Sequence, residues 1–243
     1  MNILDFREPV SAWTHGSWLL LSLPAFVLLW RRGRGDLGKR VSLVVFGLTL
    51  TACFAGSTLY HGVRGSDGQI AFFALMDYVG IYLLIAGTYT PIAWNMMSGR
   101  WRLIVLTVAW LSALAGIALQ LCCHALPPEL RTGLYLGLGW GALFCYLDIA
   151  RKLSHRAMRP FLAGGVFYSV GAVLNLLHRP VLWPGVFEAH ELFHLFVMAG
   201  SLSHFWFILT AVATFDPADP PRRTTSALPE ASHVPTRRPT WVS

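Results

Sequence analysis

Seven apolar stretches, each close to the length of a membrane-crossing helix, divide this chain along most of its length. They fall at about 13–30, 41–61, 70–94, 101–123, 131–149, 161–178 and 190–214. A helix needs about 20 apolar residues to cross the hydrocarbon core. In lipid a segment must satisfy its own backbone N–H and C=O groups, and a helix does so without a partner strand. Composition points the same way. Of the 243 residues 55% are apolar and 13% charged, against about 25% charged in an ordinary soluble domain. A soluble fold of this length would lack the polar surface to cover itself. The expected architecture is therefore all-α: a polytopic membrane protein whose residues 1–215 form one seven-transmembrane-helix bundle with short loops. Residues 216–243 are rich in Pro, Ser, Thr and Arg; they read as a disordered cytoplasmic tail that cannot bury a core. No internal repeat is visible, which argues against a transporter built from inverted repeats.

The net charge of +7 would suggest nucleic acid in a soluble protein. Here the cations sit in short runs between spans, as in Arg31-Arg32-Gly33-Arg34 and Arg151-Lys152, a pattern that reports topology. No nucleic-acid partner is expected. On the side of the N-terminus lie four: Arg7, Arg64, Arg131 and Arg179. The opposite side holds eleven before the tail: Arg31, Arg32, Arg34, Lys39, Arg40, Arg100, Arg102, Arg151, Lys152, Arg156 and Arg159. The positive-inside rule then places the N-terminus outside and the C-terminus in the cytoplasm, in the plasma (inner) membrane of a bacterium. Met1–Val10 carries acids and a proline rather than a basic stretch leading into a short apolar one, so the first span is expected to remain as an anchor. The cysteines Cys53, Cys122, Cys123 and Cys145 match no disulfide or zinc-thiolate spacing and read as small packing residues. Trp13, Trp18, Trp30, Trp94, Trp101 and Trp183 lie near span ends, as interfacial anchors do.

Ionisable groups within spans are costly and point to function. His15, His61, His124, His178, His190 and His194 all fall near the span ends on the side of the N-terminus, whereas His155 and His233 fall on the opposite side and His204 near the middle. Asp77 is the one acid placed clearly within a span; Asp148 sits at a span end where it can pair with Arg151. His190 and His194 are four apart and share a helix face, and Ser57 and His61 are likewise one turn apart. The second, third and seventh spans can therefore present His61, Asp77, His190 and His194 at similar depth. Three imidazoles and a water make a catalytic-type zinc site, with Asp77 beside it. A buried polar network without metal fits the pattern equally well. His204 reads as a hydrogen-bonded packing residue, and His15 and Glu8 as closing the mouth or capping a helix. Asn175 and His178 line the cavity or bond across helices. Pro91 predicts a kink in the third span, eased by Thr88 and Thr90. Retinal is excluded, because Lys39 and Lys152 lie in predicted loops.

At these residues the chain resembles the hemolysin III family, the bacterial branch of the superfamily that holds the adiponectin and progestin receptors. The matching motifs are Glu8 with Thr14-His15-Gly16, Ser57-x-x-x-His61, Asp77 followed by Ile81-Tyr82-Leu83-Leu84-Ile85-Ala86-Gly87-Thr88-Tyr89-Thr90-Pro91, and His190-Glu191-x-x-His194 with the later His204-Phe205. The resemblance implies seven helices with zinc held by His61, His190 and His194, Asp77 reaching the metal through water, and Ser57 alongside. Alkaline ceramidases, which hydrolyse lipid amides, share the superfamily. Two departures stand out: Ser11, where the family often has Asn, and Tyr78, where many bacterial members have His. The receptors this chain resembles place their N-terminus in the cytoplasm, the reverse of the charge count.

Three functions follow as expectations. One is a zinc-dependent hydrolase of lipid-like amide or ester substrates, with Asp77 and Ser57 as its catalytic residues, His61, His190 and His194 as its ligands, and its substrate drawn from membrane lipids into the bundle cavity. A second is the pore-forming, cytolytic activity in the family's name, for which the sequence offers no amphipathic segment waiting to insert. The third is a sensor of membrane state with structural zinc. Oligomeric state is not set by the sequence.

Overall fold

Each apolar stretch is helical. The computed structural model describes residues 6–123 and 126–216; the readings made for His124, His233 and residues 217–243 of the tail lie outside them. The helices are α1 (Pro9–Arg32), α2 (Leu37–Gly62), α3 (Asp67–Met96), α4 (Gly99–Cys122), α5 (Pro128–Trp140), α6 (Leu143–Ala150), α7 (His155–Leu177) and α8 (Ala189–Phe207), the last running on into a π-helical turn at Ile208–Val212. Seven are long and apolar enough to cross a membrane, counting α5 with α6 as Pro128–Ala150 and α8 with its π turn as Ala189–Val212. The large side chains that face outward are those lipid would cover, such as Leu20, Leu103, Leu111 and Phe144.

Short connections fix the up-down order. Asp36 caps α2 by accepting from the Lys39 backbone N–H at 2.9 Å, and Ser66 with Gln69 forms a capping box at the start of α3. The turn before α8 is closed by a Glu188–Glu191 capping box, with the Gly185 N–H donating to Glu188 Oε1 at 2.7 Å. Side-chain oxygens thus take up N–H groups that a helix start leaves open.

α2 is the central helix: 56% of its most apolar window is buried, against 33% or less in the others. It packs on α1 and α3, while α7 packs on α8 and α8 returns against α1. Between helices in lipid there is no hydrophobic drive, so close approach depends on small residues. At the α2–α3 contact a Cβ on Gly80 would lie 2.8 Å from Cys53 Cα, and one on Gly56 would lie 2.9 Å from the Met76 carbonyl oxygen. These glycines bring the two backbones together just where Ser57 and Asp77 follow.

The expected fifth span is two helices. Gly133, Gly137, Gly139 and Gly141 lie within nine residues and weaken helix propagation. The chain turns at Gly141–Ala142, where Ala142 N–H bonds Gly139 rather than Leu138. The Leu138 carbonyl so freed accepts from the Tyr89 hydroxyl at 2.7 Å. Other details also differ from the sequence reading. Thr88 and Thr90 bond the Leu84 and Ala86 carbonyls, not the Gly87 carbonyl that Pro91 within α3 releases. Asp148 pairs with Lys152 at 2.8 Å, one turn away, rather than with Arg151. Lys39 lies in the first turn of α2, with its amine on the Phe215 carbonyl at 2.8 Å, still far from mid-span. Cys122 and Cys123 are exposed, while Cys53 and Cys145 are buried. Trp18 is no lipid anchor: its indole N–H donates to Ser201 Oγ at 2.7 Å and ties α1 to α8.

Candidate metal centre

One face of α1 carries Ser11, His15, Trp18 and Ser22 at helical spacing, and the first and second of these are buried against α2 and α8. Glu8 precedes the helix on the same side. Its backbone N–H bonds the His61 carbonyl at 2.9 Å, which joins the start of α1 to the end of α2. The loop before α8 sets His190 and His194 in its first two turns. Three helix ends therefore meet at the N-terminal end of the bundle.

There the side chains of His61, His190 and His194 converge, with one ring nitrogen from each lying within 4.8 Å of the others. Ring centroids are 5.1 Å apart for His61 and His190, 4.7 Å for His61 and His194, and 4.6 Å for His190 and His194. The hydrogen bonds sort the nitrogens. His61 Nδ1–H donates to Glu8 Oε2, leaving Nε2 with its lone pair. His190 Nδ1 pairs with Asn175 Oδ1 at 3.2 Å, and because a carbonyl oxygen only accepts, this too leaves Nε2 free. His61 Nε2 and His194 Nδ1 are buried with no hydrogen-bond partner. Leaving a buried polar atom unpaired costs about 1–3 kcal/mol, and a cluster of such lone pairs aimed at one another repels unless something positive sits between them. Neutral imidazoles oriented from behind by a carboxylate or carbonyl are the arrangement that ligand histidines adopt. The residues present could hold a metal ion.

Ser57 and Asp77 lie one turn deeper. Ser57 is 2% exposed, and its hydroxyl shares a hydrogen bond with His15 Nδ1 at 2.7 Å. The Asp77 carboxylate interacts with the Ser57 side chain and, at longer range, with His61, Arg131 and Glu8. All five residues singled out from the sequence thus come together. Outside the spans, burial pushes the Glu8 carboxyl up, but its hydrogen bond to His61 and the Arg7 guanidinium outweigh that and hold it below the usual range.

The sequence reading undervalued His15. It is 5% exposed, stacks on His194 with ring centroids 3.7 Å apart and planes 11° from parallel, and touches Phe54 edge-on. It belongs to the cluster and does not cap a helix. Glu8 is part of it as well. The missed signal is the spacing Glu8, Ser11, His15, which puts three polar groups on one helix face. Ser11 donates to Glu191 Oε1 at 3.2 Å, so the Glu191 carboxylate serves the α1–α8 contact. Two cations flank the mouth: the Arg7 guanidinium lies 4.3 Å from the Tyr60 ring centre and that of Arg131 3.9 Å from Tyr78. Asn175 bonds across helices to His190. His178 stays outside the site; it is the exposed left-handed C-cap of α7, at φ 51°. His204 bonds the Phe161 carbonyl at 3.0 Å and fills the space above Gly164, the packing role expected of it.

A cavity of about 620 Å³ lies elsewhere, on the far side of α3, between α4 and α5–α6. Tyr82, Val108 and Gly137 are among its walls, and no histidine of the cluster lines it.

Comparison with known proteins places the chain in a family. A family model described as "Haemolysin-III related" matches residues 5–205. The chain belongs to the hemolysin III family. A "Hemolysin-3 homolog" of Bacillus subtilis is 30% identical over 205 residues, covering 84% of this chain and 93% of that protein. "Hemolysin-3" of Bacillus cereus is also 30% identical over 205 residues, 84% and 90% of the two chains. More distant is the rice "Heptahelical transmembrane protein ADIPOR2", 27% identical over 203 residues, 71% of this chain and 82% of its own. The matched region takes in every residue of the cluster.

Proposed function

We propose that this hemolysin III family membrane protein is a zinc-dependent hydrolase of lipid-like amides or esters. The observation that carries the reading is the set of three converging imidazoles, two of them held from behind, with a carboxylate and a hydroxyl one turn below. His61, His190 and His194 would hold the metal. When bound there, zinc supplies Lewis-acid activation of water near neutral pH. Three protein ligands leave a fourth position open, as catalytic zinc sites do and closed structural sites do not.

The chain's own residues divide the remaining work. Asp77 takes the proton from the water that attacks the substrate carbonyl and returns it to the departing amine or alkoxide as the C–N or C–O bond breaks. Ser57 orients that carboxylate. Arg7 and Arg131, lying over Tyr60 and Tyr78, make a cationic rim suited to a phosphate headgroup or to the carboxylate released by hydrolysis. The cluster lies at the N-terminal end of the bundle; with the N-terminus outside, as the excess of Lys and Arg on the opposite side suggests, it would open toward the outer leaflet of a bacterial plasma membrane.

The test is turnover of fluorescent ceramide and of a fluorescent acyl ester by zinc-loaded protein in mixed micelles. Asp77→Asn is expected to keep the metal and lose at least about a hundredfold in rate, the scale of a general base. A metal-loaded native protein that hydrolyses neither substrate would instead support zinc as a structural pin in a sensor of membrane state.

A further inference from the structure

Glu8, Ser57 and Asp77 each have a place in the reading above, but His15 has none, although it is buried as His61 and His194 are. It comes from α1, whereas the proposed ligands come from α2 and α8. Its ring does two separate things. One face lies flat on His194, 3.7 Å between centroids at 11°. Its edge nitrogen Nδ1 holds Ser57 Oγ at 2.7 Å. Its other nitrogen, Nε2, is buried without a partner, and it is not one of the three nitrogens that lie mutually within 4.8 Å. His15 is therefore placed to steer two residues of the site without itself joining the convergence.

We propose that His15 is a positioning residue that braces the imidazole of His194 by stacking and pins the Ser57 hydroxyl toward Asp77. The proposal rests on the metal-site reading and extends the site to α1. A flat ring packed on His194 limits rotation of that imidazole about its Cβ–Cγ bond, so its Nδ1 lone pair stays aimed at the other two. Phe54 backs His15 edge-on at 5.0 Å, which keeps the brace from sliding. In the tautomer that carries its proton on Nδ1, His15 donates to Ser57 Oγ and leaves the hydroxyl proton to face the Asp77 carboxylate.

The two tasks can be separated by substitution. His15→Phe keeps a flat ring over His194 but cannot bond Ser57. His15→Asn places an amide near the position of Nδ1, so it can bond Ser57, but offers no ring to stack. The readouts are zinc affinity by chelator competition and the visible absorption of the Co²⁺-substituted protein, which reports ligand geometry. Aromatic ring pairs contribute roughly two- to tenfold to an equilibrium. His15→Asn is expected to lower zinc affinity by that factor and to shift the cobalt bands, whereas His15→Phe and Ser57→Ala leave both within about twofold of native. In the ceramide assay, His15→Phe and Ser57→Ala should slow turnover equally, and the double variant no further.

Native affinity and an unchanged cobalt spectrum in His15→Asn would overturn the brace. So would equal losses in His15→Asn and His15→Phe that track a common drop in thermal midpoint, since that marks plain packing. Additive slowing in the double variant would overturn the pin. If the native protein binds zinc but turns over nothing, the hydrolase reading fails while the metal and cobalt readouts still decide the brace.

Discussion

Removing Glu8 tests whether His61 is a metal ligand held from behind. Its carboxylate accepts from His61 Nδ1–H. It makes no side-chain cap to α1, so Glu8→Ala leaves the helix start intact, and the backbone bond from residue 8 to the His61 carbonyl does not depend on the side chain. Losing such an orienting partner lowers metal affinity by about 10–100-fold, or about 1.4–2.8 kcal/mol. The Glu8 side chain is 38% exposed while that of His61 is 2% exposed. Water can replace part of the lost contact, which sets the expected loss near the lower end, about tenfold. Glu8→Gln keeps an oxygen acceptor but not the charge, and because charge-assisted bonds are about twice as strong as neutral ones, its loss should fall in between. Asn175→Ala removes a neutral bond of 3.2 Å to His190; at a net value near 0.5–1 kcal/mol it should weaken binding about two- to fivefold. The assay is zinc competition against a fluorescent chelator in detergent, with elution volume and thermal midpoint as controls for folding. Native affinity in Glu8→Ala, or an Asn175→Ala loss larger than that of Glu8→Ala, would refute the reasoning.

Other outcomes follow from packing and topology. Gly80→Ala sets a Cβ 2.8 Å from the Cys53 backbone and should lower stability by about 1–3 kcal/mol, while Gly137→Ala, with open space around it, should be neutral or stabilise α5 by up to about 1 kcal/mol; thermal unfolding in detergent separates them. Trp18→Phe and Ser201→Ala should each cost about 0.6 kcal/mol, the average for an interhelical bond in a membrane, and be non-additive when combined; additive losses would mean the bond is absent. A reporter active only in the cytoplasm, fused to the C-terminus, should be active; an active periplasmic reporter there would reverse the orientation. His204→Leu should leave zinc affinity unchanged in the same competition assay, because that ring contacts Phe161 and Tyr168 and lies outside the cluster.

The seven spans were legible because lipid imposes one rule on the whole segment, and hydropathy averages over it. His61, His190, His194, Ser57 and Asp77 were legible for a local reason: four-residue spacing fixes a shared face, and short loops fix which helix ends lie together. What the sequence hid depends on contacts between distant segments. α3 begins at Asp67, earlier than the apolar run suggested, so Asp77 lies about 15 Å along it; it meets Ser57 only because Gly56 and Gly80 let α2 and α3 touch. His15 looked marginal because its worth comes from α8, which is distant in sequence. The break at Gly141 was masked by an apolar composition that reads equally as one helix or two. Trp18 had the position of an interfacial anchor, and only the packing of α1 on α8 shows that it bonds Ser201 instead. The partner of Asp148 turned on a side-chain choice between neighbours three and four residues away, which spacing alone does not settle.

Anomalous scattering at the zinc edge from crystals of the purified protein tests the central claim most directly. The account predicts one strong peak per chain inside the triangle of His61, His190 and His194, lost in a folded His61→Ala variant. A protein purified without chelators that shows no peak there, or a peak that survives in His61→Ala, would contradict it.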